Sequence, residues 1–153
     1  MKLPGLWTIR KLGPADAAAM AALHGDGFDD PWTVETFAGL LALPGAFGFV
    51  AIAKNEPAGF VLARVAADEA EILTLAVALG ARRRGLGTSL VNQAIGMAAG
   101  EGAERMFLEV AADNDAGQAL YRALDFAEIG RRPAYYGKPG QRRTDALLMS
   151  RNL

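Results

Sequence analysis

The chain is predicted to fold as an α/β protein, a mixed sheet with helices on both faces, and three observations carry that prediction. Seven short apolar runs have strand character, at residues 7–11, 47–53, 59–65, 71–77, 106–110, 126–130 and 146–150. The second to fourth follow one another across turns, as in a β-meander, whereas the later ones alternate with helix-periodic segments. With 153 residues and 52% hydrophobic side chains, the chain has the size and apolar content of one domain, residues 1–153, with a substantial core.

Taken in order, residues 7–11 make a first strand. Pro14-Ala15-Asp16 then opens an alanine-rich helix to about His24, because proline suits a first helical turn. Residues 25–30 are loop by composition, and Thr33 can cap a second helix to about Leu41, with Glu35 and Thr36 in its first turns. Residues 47–53 and 59–65 join as a hairpin across Asn55-Glu56-Pro57, and residues 71–77 extend the meander. A helix from about Thr88 to Ala99 ends at Gly100 or Gly102, where glycine supplies a left-handed cap. Asp115, with Gln118 three residues on, marks a further helix carrying Leu120, Tyr121 and Leu124.

The stretch that organises the chain is Arg82-Arg83-Arg84-Gly85-Leu86-Gly87-Thr88, between the strand ending at Val77 and the helix that follows. It reads as a phosphate cradle. Glycines let the backbone turn and approach a ligand closely, and a helix opening directly from the loop offers unpaired amides and a dipole that favour an anion. A Walker loop is excluded, since nothing matches Gly-x-x-x-x-Gly-Lys-Ser/Thr, and a Rossmann fingerprint would need a third glycine. A basic surface turn is the rival reading of the same residues.

Arg82-x-x-Gly85-x-Gly87 matches the Gln/Arg-x-x-Gly-x-Gly/Ala signature of the GNAT superfamily of acyl-CoA-dependent N-acyltransferases. Leu75-Ala76-Val77 before it, and Leu108-Glu109-Val110, Asn114 and Ala119-Leu120-Tyr121 after it, make the chain resemble the RimI type over residues 31–149. The resemblance implies a mostly antiparallel sheet of about seven strands. In that family a bulge splays the fourth strand from the fifth, and the pantetheine arm of acetyl-CoA lies in the gap, here beside Leu75, Ala76 and Val77. Amides left unpaired by the splay would hydrogen-bond the cofactor, as in β-augmentation. The resemblance also implies Arg82 to Thr88 and Asn114 as cofactor contacts, with Arg83, Arg84 and Leu86 among them. The implied activity is acetylation of a protein N-terminus, the N-terminal alanine of a small-subunit ribosomal protein.

Glu109 interrupts the otherwise apolar run Met106, Phe107, Leu108, Val110. An unpaired buried charge is expensive, so such a residue is paired, protonated, or turned towards a wet cleft. A structural pair with an arginine is one reading. The resemblance implies that Glu109 is the general base, and apolar walls would make it a better one. Tyr121 on a helix of alanine and leucine reads as core by itself; the resemblance implies that it protonates the departing coenzyme A thiolate. Glu69 and Glu71 read as a solvated edge, with Glu71 in reserve as a base.

The chain departs from the family pattern twice. Asp125 replaces the glycine of Leu-Gly-Phe, where aspartate can adopt a left-handed conformation at a cost of roughly 1 kcal/mol. Arg131-Arg132-Pro133-Ala134-Tyr135-Tyr136 is one residue longer than the family's Arg-Arg-x-Tyr-Tyr. Trp32, Tyr135 and Tyr136 are expected to wall a peptide groove. Asp26, Asp29, Asp30 and Glu35 form an acidic run, either a solvated loop or an acceptor rim in which Asp29 and Asp30 select peptides with basic residues after the first. An α-amine, with a pKa of about 8 against about 10.4 for lysine, costs roughly 3 kcal/mol less to deprotonate at pH 7, so one carboxylate base suffices. Acetylation of a small-molecule amine, or non-catalytic acyl-CoA binding, are the rival functions.

Composition excludes other classes. The chain has no cysteine, which rules out disulfides, thiolate metal sites and a cysteine–acyl intermediate. His24 is its only histidine, is expected at a surface or helix end, and is assigned no chemistry; no metal is expected. A net charge of −1 argues against bulk nucleic-acid binding. The basic block Arg131, Arg132, Lys138, Arg142 and Arg143 reads as a solvated loop. No signal-peptide core or membrane-length apolar run is present, so the cytoplasm is the expected location, with no membrane partner.

Overall fold

A computed structural model describes residues 7–28, 30–137, 140 and 142–153. Asp29 and Lys138, singled out above, lie outside the described residues. The elements run β1 (Thr8–Lys11), α1 (Ala17–Gly27), α2 (Val34–Leu41), β2 (Ala46–Ala53), β3 (Glu56–Ala66), β4 (Glu69–Val77), α3 (Leu86–Gly100), β5 (Arg105–Ala111), α4 (Asp115–Ala123), β6 (Ala127–Tyr136) and β7 (Thr144–Asn152), with a single 3₁₀ turn before α1 and another before α3. All seven strands form one sheet in the order β1-β2-β3-β4-β5-β7-β6. Every pairing is antiparallel except β4 with β5, whose connection through α3 makes them parallel.

The two sheet faces bury different helices. Leu86, Leu90, Val91, Ala94 and Ala98 of α3 and Tyr121 of α4 pack with Met106, Leu108 and Val110 of β5 and Leu147 and Met149 of β7. On the other face, Ala17, Met20 and Leu23 of α1 and Phe37 of α2 pack with Val50, Phe60, Leu62 and Ala76. Alternation along each strand assigns successive side chains to opposite layers, which is why both faces read as apolar runs in the inner strands.

Local signals behave as their chemistry requires. Thr33 Oγ1 accepts the Thr36 N–H at 3.2 Å and caps α2. Asp125 closes α4 at φ 69°, the left-handed conformation the substituted glycine would have taken. The hairpin turn falls one residue earlier than expected: Ala53 pairs with Glu56, and Lys54 and Asn55, at φ 51° and 65°, are the two loop residues. The start of α4 is set by Asn114 rather than an Asp115 box. Asn114 Oδ1 accepts the Gly117 N–H at 2.9 Å, while Gln118 Nε2 donates to Ala112 O at 2.9 Å.

One expectation is overturned at the C-terminal side. Arg131 and Arg132 are not loop residues but part of β6, which runs on to Tyr136. β6 is an edge strand, so Pro133 removes no interior ladder bond there. The additional residues are absorbed in a bulge: Arg132 faces Ala146 and Tyr136 faces Thr144, so residues 133–135 oppose Asp145 alone. Ala134 takes φ 49°, and its N–H donates to Asp145 Oδ1 at 2.9 Å.

Candidate active site

β4 and β5 are neighbours for only a short distance. Glu69, Ala70 and Glu71 pair with Arg105, Met106 and Phe107, after which the strands diverge. The cause is visible on the β3 side of β4, where Leu62 faces Thr74 but Ala63 faces Ile72, leaving Leu73 as an extra residue. This bulge inverts the alternation. Ala70 and Ile72 before it, and Leu75 and Val77 after it, all pack on the α3 side, while Leu73 and Ala76 turn to the α1/α2 side. Beyond Glu71, β4 therefore offers a backbone edge with no strand partner, the feature a ligand carrying its own amides can use.

The mouth of that gap is the loop leading into α3. Gly85 is the residue before the helix and has φ 82°, and Arg83 has φ 63°. No side chain caps this end of α3, and the first bond across it is Ser89 N–H to Gly85 O at 3.0 Å, so the amides of Leu86, Gly87 and Thr88 lack intrahelical partners. These donors, the helix dipole, and the exposed Arg83 and Arg84 fit a pyrophosphate. Gly87 serves differently from the expectation of a ligand-facing turn. It lies buried inside α3, and a Cβ there would sit 2.8 Å from Leu120 Cδ1 of α4. Arg82 is also committed, since its Nε donates to Val77 O at 2.9 Å and clamps the end of β4 to the loop.

Glu109 and Tyr121 lie on opposite faces of the sheet. Met106, Leu108 and Val110 face α3 and α4, so Glu109 projects on the α1/α2 side, whereas Tyr121 belongs to the α3/α4 core. Burial, with Tyr136 adding to it, holds the Tyr121 phenol well above its ordinary range. The apolar walls expected around Glu109 are not what surrounds it. Arg132 Nη2 donates to Glu109 Oε1 at 2.7 Å, and the same guanidinium lies 4.6 Å over the Tyr135 ring. Burial first, then Glu109, raises the Glu71 carboxyl above its ordinary value, with Arg132 and Arg64 opposing. Tyr136 is pushed up to about 12 by burial, Glu109 and Tyr135. One cluster of two carboxylates, two arginines and two tyrosines thus occupies the Glu109 side of the gap.

Trp32, another predicted acceptor residue, packs with the α1/α2 layer on the same face. Trp32 is half-buried against α1 and α2, with its ring 5.6 Å from Phe37, and Asp26, Asp30 and Glu35, near it in sequence, are exposed. Tyr135 is exposed on the β6 bulge, edge-on to Tyr136 at 5.1 Å.

Comparison with known proteins bears on this arrangement. Residues 17–126 match the Acetyltransferase (GNAT) family. The chain belongs to that family. It is similar to the N-alpha-acetyltransferase RimI of Mycobacterium tuberculosis, 35% identical over 151 residues, which cover 95% of this chain and 92% of that protein. It is also similar to the [ribosomal protein bS18]-alanine N-acetyltransferase of Escherichia coli, 32% identical over 94% of this chain and 95% of that protein. The crystal structure of the Escherichia coli ribosomal-protein-S18-alanine N-acetyltransferase superposes with a TM-score of 0.88 at 31% identity, covering 95% of this chain and 93% of that one.

As a GNAT enzyme the chain is an acetyl-CoA-dependent N-acetyltransferase. The Asn114 side-chain oxygen is engaged in capping α4, and its amide NH₂ donors are left for other partners. Sequence reasoning missed the placement of two residues. One is Arg132, placed in a loop instead of opposite Glu109; its signal was an arginine in a family-like Arg-Arg pair. The other is His24, which lies at a helix end as expected, in the last turn of α1, but is 2% exposed and not at the surface. Its signal was a histidine flanked by Leu23, Phe28 and Trp32, though its partner in β4 could not be read. Among the described residues no three acidic or histidine side chains gather as a metal site, and no helix is long and apolar enough to cross a membrane.

Proposed function

We propose that the enzyme transfers acetyl from acetyl-CoA to the α-amine of a protein N-terminus, with the N-terminal alanine of a ribosomal protein as acceptor, and that residues 1–153 act as one cytoplasmic domain. The observation that supports this reading is that β4 and β5 part after Glu71, with Glu109 on one face of the sheet and Tyr121 on the other. Donor and acceptor can then meet in the gap from two sides. The names and identities of the relatives supply the acceptor class.

Bound acetyl-CoA supplies an acetyl group activated as a thioester. The amides of Leu86, Gly87 and Thr88, with Arg83 and Arg84, hold its phosphates, and the free edge of β4 at Leu75, Ala76 and Val77 orients its arm and polarises the carbonyl. Glu109 accepts the proton of the incoming ammonium, directly or through water. Arg132 fixes the orientation of that carboxylate. Tyr121, kept protonated by burial, donates its phenolic proton to the departing sulfur. Transfer is direct, within a ternary complex. Trp32, Tyr135 and Tyr136 wall the peptide, and Asp29 and Asp30 favour basic residues beyond its first.

The test is release of free thiol when the enzyme is mixed with acetyl-CoA and a peptide copying the ribosomal N-terminus. Release above background, faster than with an internal-lysine peptide, is expected. No release between pH about 6 and about 9, the range in which an α-amine titrates, would overturn the acceptor assignment.

A further inference from the structure

The side chain of His24 joins three parts of the molecule that are far apart in sequence. It sits in the last turn of α1, 2% exposed. Its Nδ1 accepts the Trp32 backbone N–H at 3.0 Å, which places the ring proton on Nε2. Nε2 then donates to Thr74 Oγ1 at 3.2 Å, fifty residues away in β4. The ring is packed as tightly as it is bonded. Phe28 stacks parallel to it at 3.9 Å, Trp32 at 5.0 Å, and Phe37 meets it edge-on at 5.3 Å.

The two ends of this strut are the two sides of the reaction. Thr74 directly follows the Leu73 bulge, at the start of the β4 stretch whose edge is free of β5. Trp32 belongs to the connection between α1 and α2, which carries Asp30, with Asp26 at the end of α1 and Glu35 at the start of α2. Within that connection Phe28, Asp30 and Pro31 are exposed, and Trp32 is its half-buried residue among those described. A short connection with exposed residues samples many conformations unless buried contacts tie it down, and here the His24 ring, with both nitrogens engaged and Phe28 and Trp32 stacked on it, is one such tie.

We propose that His24 is a positioning residue for the acceptor, holding the loop before α2 in fixed register with the freed stretch of β4. Resting on the acceptor-side reading above, this goes beyond it by making peptide affinity depend on a residue that touches neither substrate. Thr74 is its anchor. A neutral ring with one accepting and one donating nitrogen is what the two partners require, because Trp32 presents a donor and the strand presents a hydroxyl.

The experiment has two arms on the full chain. The first compares the Michaelis constants of His24→Leu, Thr74→Val and Thr74→Ser with wild type, using the ribosomal N-terminal peptide. Peptide KM is expected to rise about fivefold in Thr74→Val, the factor one net hydrogen bond is worth, and further in His24→Leu. In both, kcat is expected to stay within about twofold and acetyl-CoA Kd to be unchanged, while Thr74→Ser, which keeps the hydroxyl, restores the wild-type KM. The second arm needs no acceptor: exchange of the Trp32 amide proton is expected to be faster in His24→Leu and in Thr74→Val than in wild type. A lower Tm with unchanged peptide KM and unchanged Trp32 exchange would overturn the proposal. Should the wild type turn over no peptide, the acceptor assignment falls, and the exchange arm still decides whether His24 holds the loop.

Discussion

Arg132 donates to Glu109 at 2.7 Å from a neighbouring part of the sheet, so the carboxylate proposed as base is held by a cation from β6. Both side chains are partly exposed, 51% and 28%, which limits what the pair contributes to stability to within about 1 kcal/mol. Its effect on activity should be larger, because orientation of a reacting group is worth tenfold to about a hundredfold in rate. Arg132→Met is therefore expected to lower kcat at least about tenfold while moving Tm by only a few degrees. Steady-state kinetics alongside thermal melting check both numbers.

The phosphate loop should respond unevenly to substitution. Gly85 at φ 82° needs no space around a Cβ but is strained by one, at roughly 1 kcal/mol for alanine, whereas valine at Gly87 would drive into Leu120. Both Gly85→Val and Gly87→Val are expected to weaken acetyl-CoA binding more than Arg83→Ala or Arg84→Ala, with Gly87→Val also lowering Tm. Arg82→Ala should fall with the glycines, since it releases the end of β4 at Val77. Calorimetric Kd values for the five variants rank them directly.

Much of this was legible in the sequence, and the parts that were not share a reason. The strands, the Thr33 cap, the left-handed Asp125 and the loop into α3 are set by neighbours a few residues away, which local pattern can read. β6 was read too short because charges and Pro133 resemble a loop, yet on a sheet edge an exposed, charged strand with a proline costs little. The Arg132–Glu109 pair spans 23 residues and the His24–Thr74 bond spans 50. No periodicity announces such contacts; they follow only once the sheet order is known.

Stability should depend on pH through His24. Burial holds its pKa down to about 4 from an ordinary 6.5. A histidine depressed in the folded state favours the fold while neutral, so this contribution is complete above about pH 6.5 and is lost progressively as pH falls to about 4, by at most roughly 3 kcal/mol. Glu71, raised by burial, acts with the opposite sign in the lower part of that window. Urea denaturation of wild type and His24→Leu at pH 7.5 and 4.5 separates them: the wild type is expected to lose more stability than the variant over that interval. Asp16, lowered by Arg10, comes into play only at more acidic pH.

Acceptor selection should be electrostatic and therefore salt-sensitive. Asp30 is exposed in the connection between α1 and α2, and exposed charges interact over about 8 Å at physiological ionic strength. Asp30→Lys, alone or with Asp29→Lys, is expected to raise KM for a peptide with arginine or lysine after the first residue and to spare acetyl-CoA. The difference should shrink at 0.5 M salt. An unchanged preference for basic peptides would remove this loop from the acceptor rim.

The central claim is that Glu109 and Tyr121 carry out proton transfer from opposite faces of one gap. The direct measurement is single-turnover acetyl transfer by Glu109→Gln and Tyr121→Phe, with acetyl-CoA affinity determined on the same preparations. Each variant is expected to bind acetyl-CoA as the wild type does and to lose at least about a hundredfold in the transfer rate, the scale of general acid–base catalysis. Transfer at the wild-type rate in either variant would contradict the role assigned to that residue.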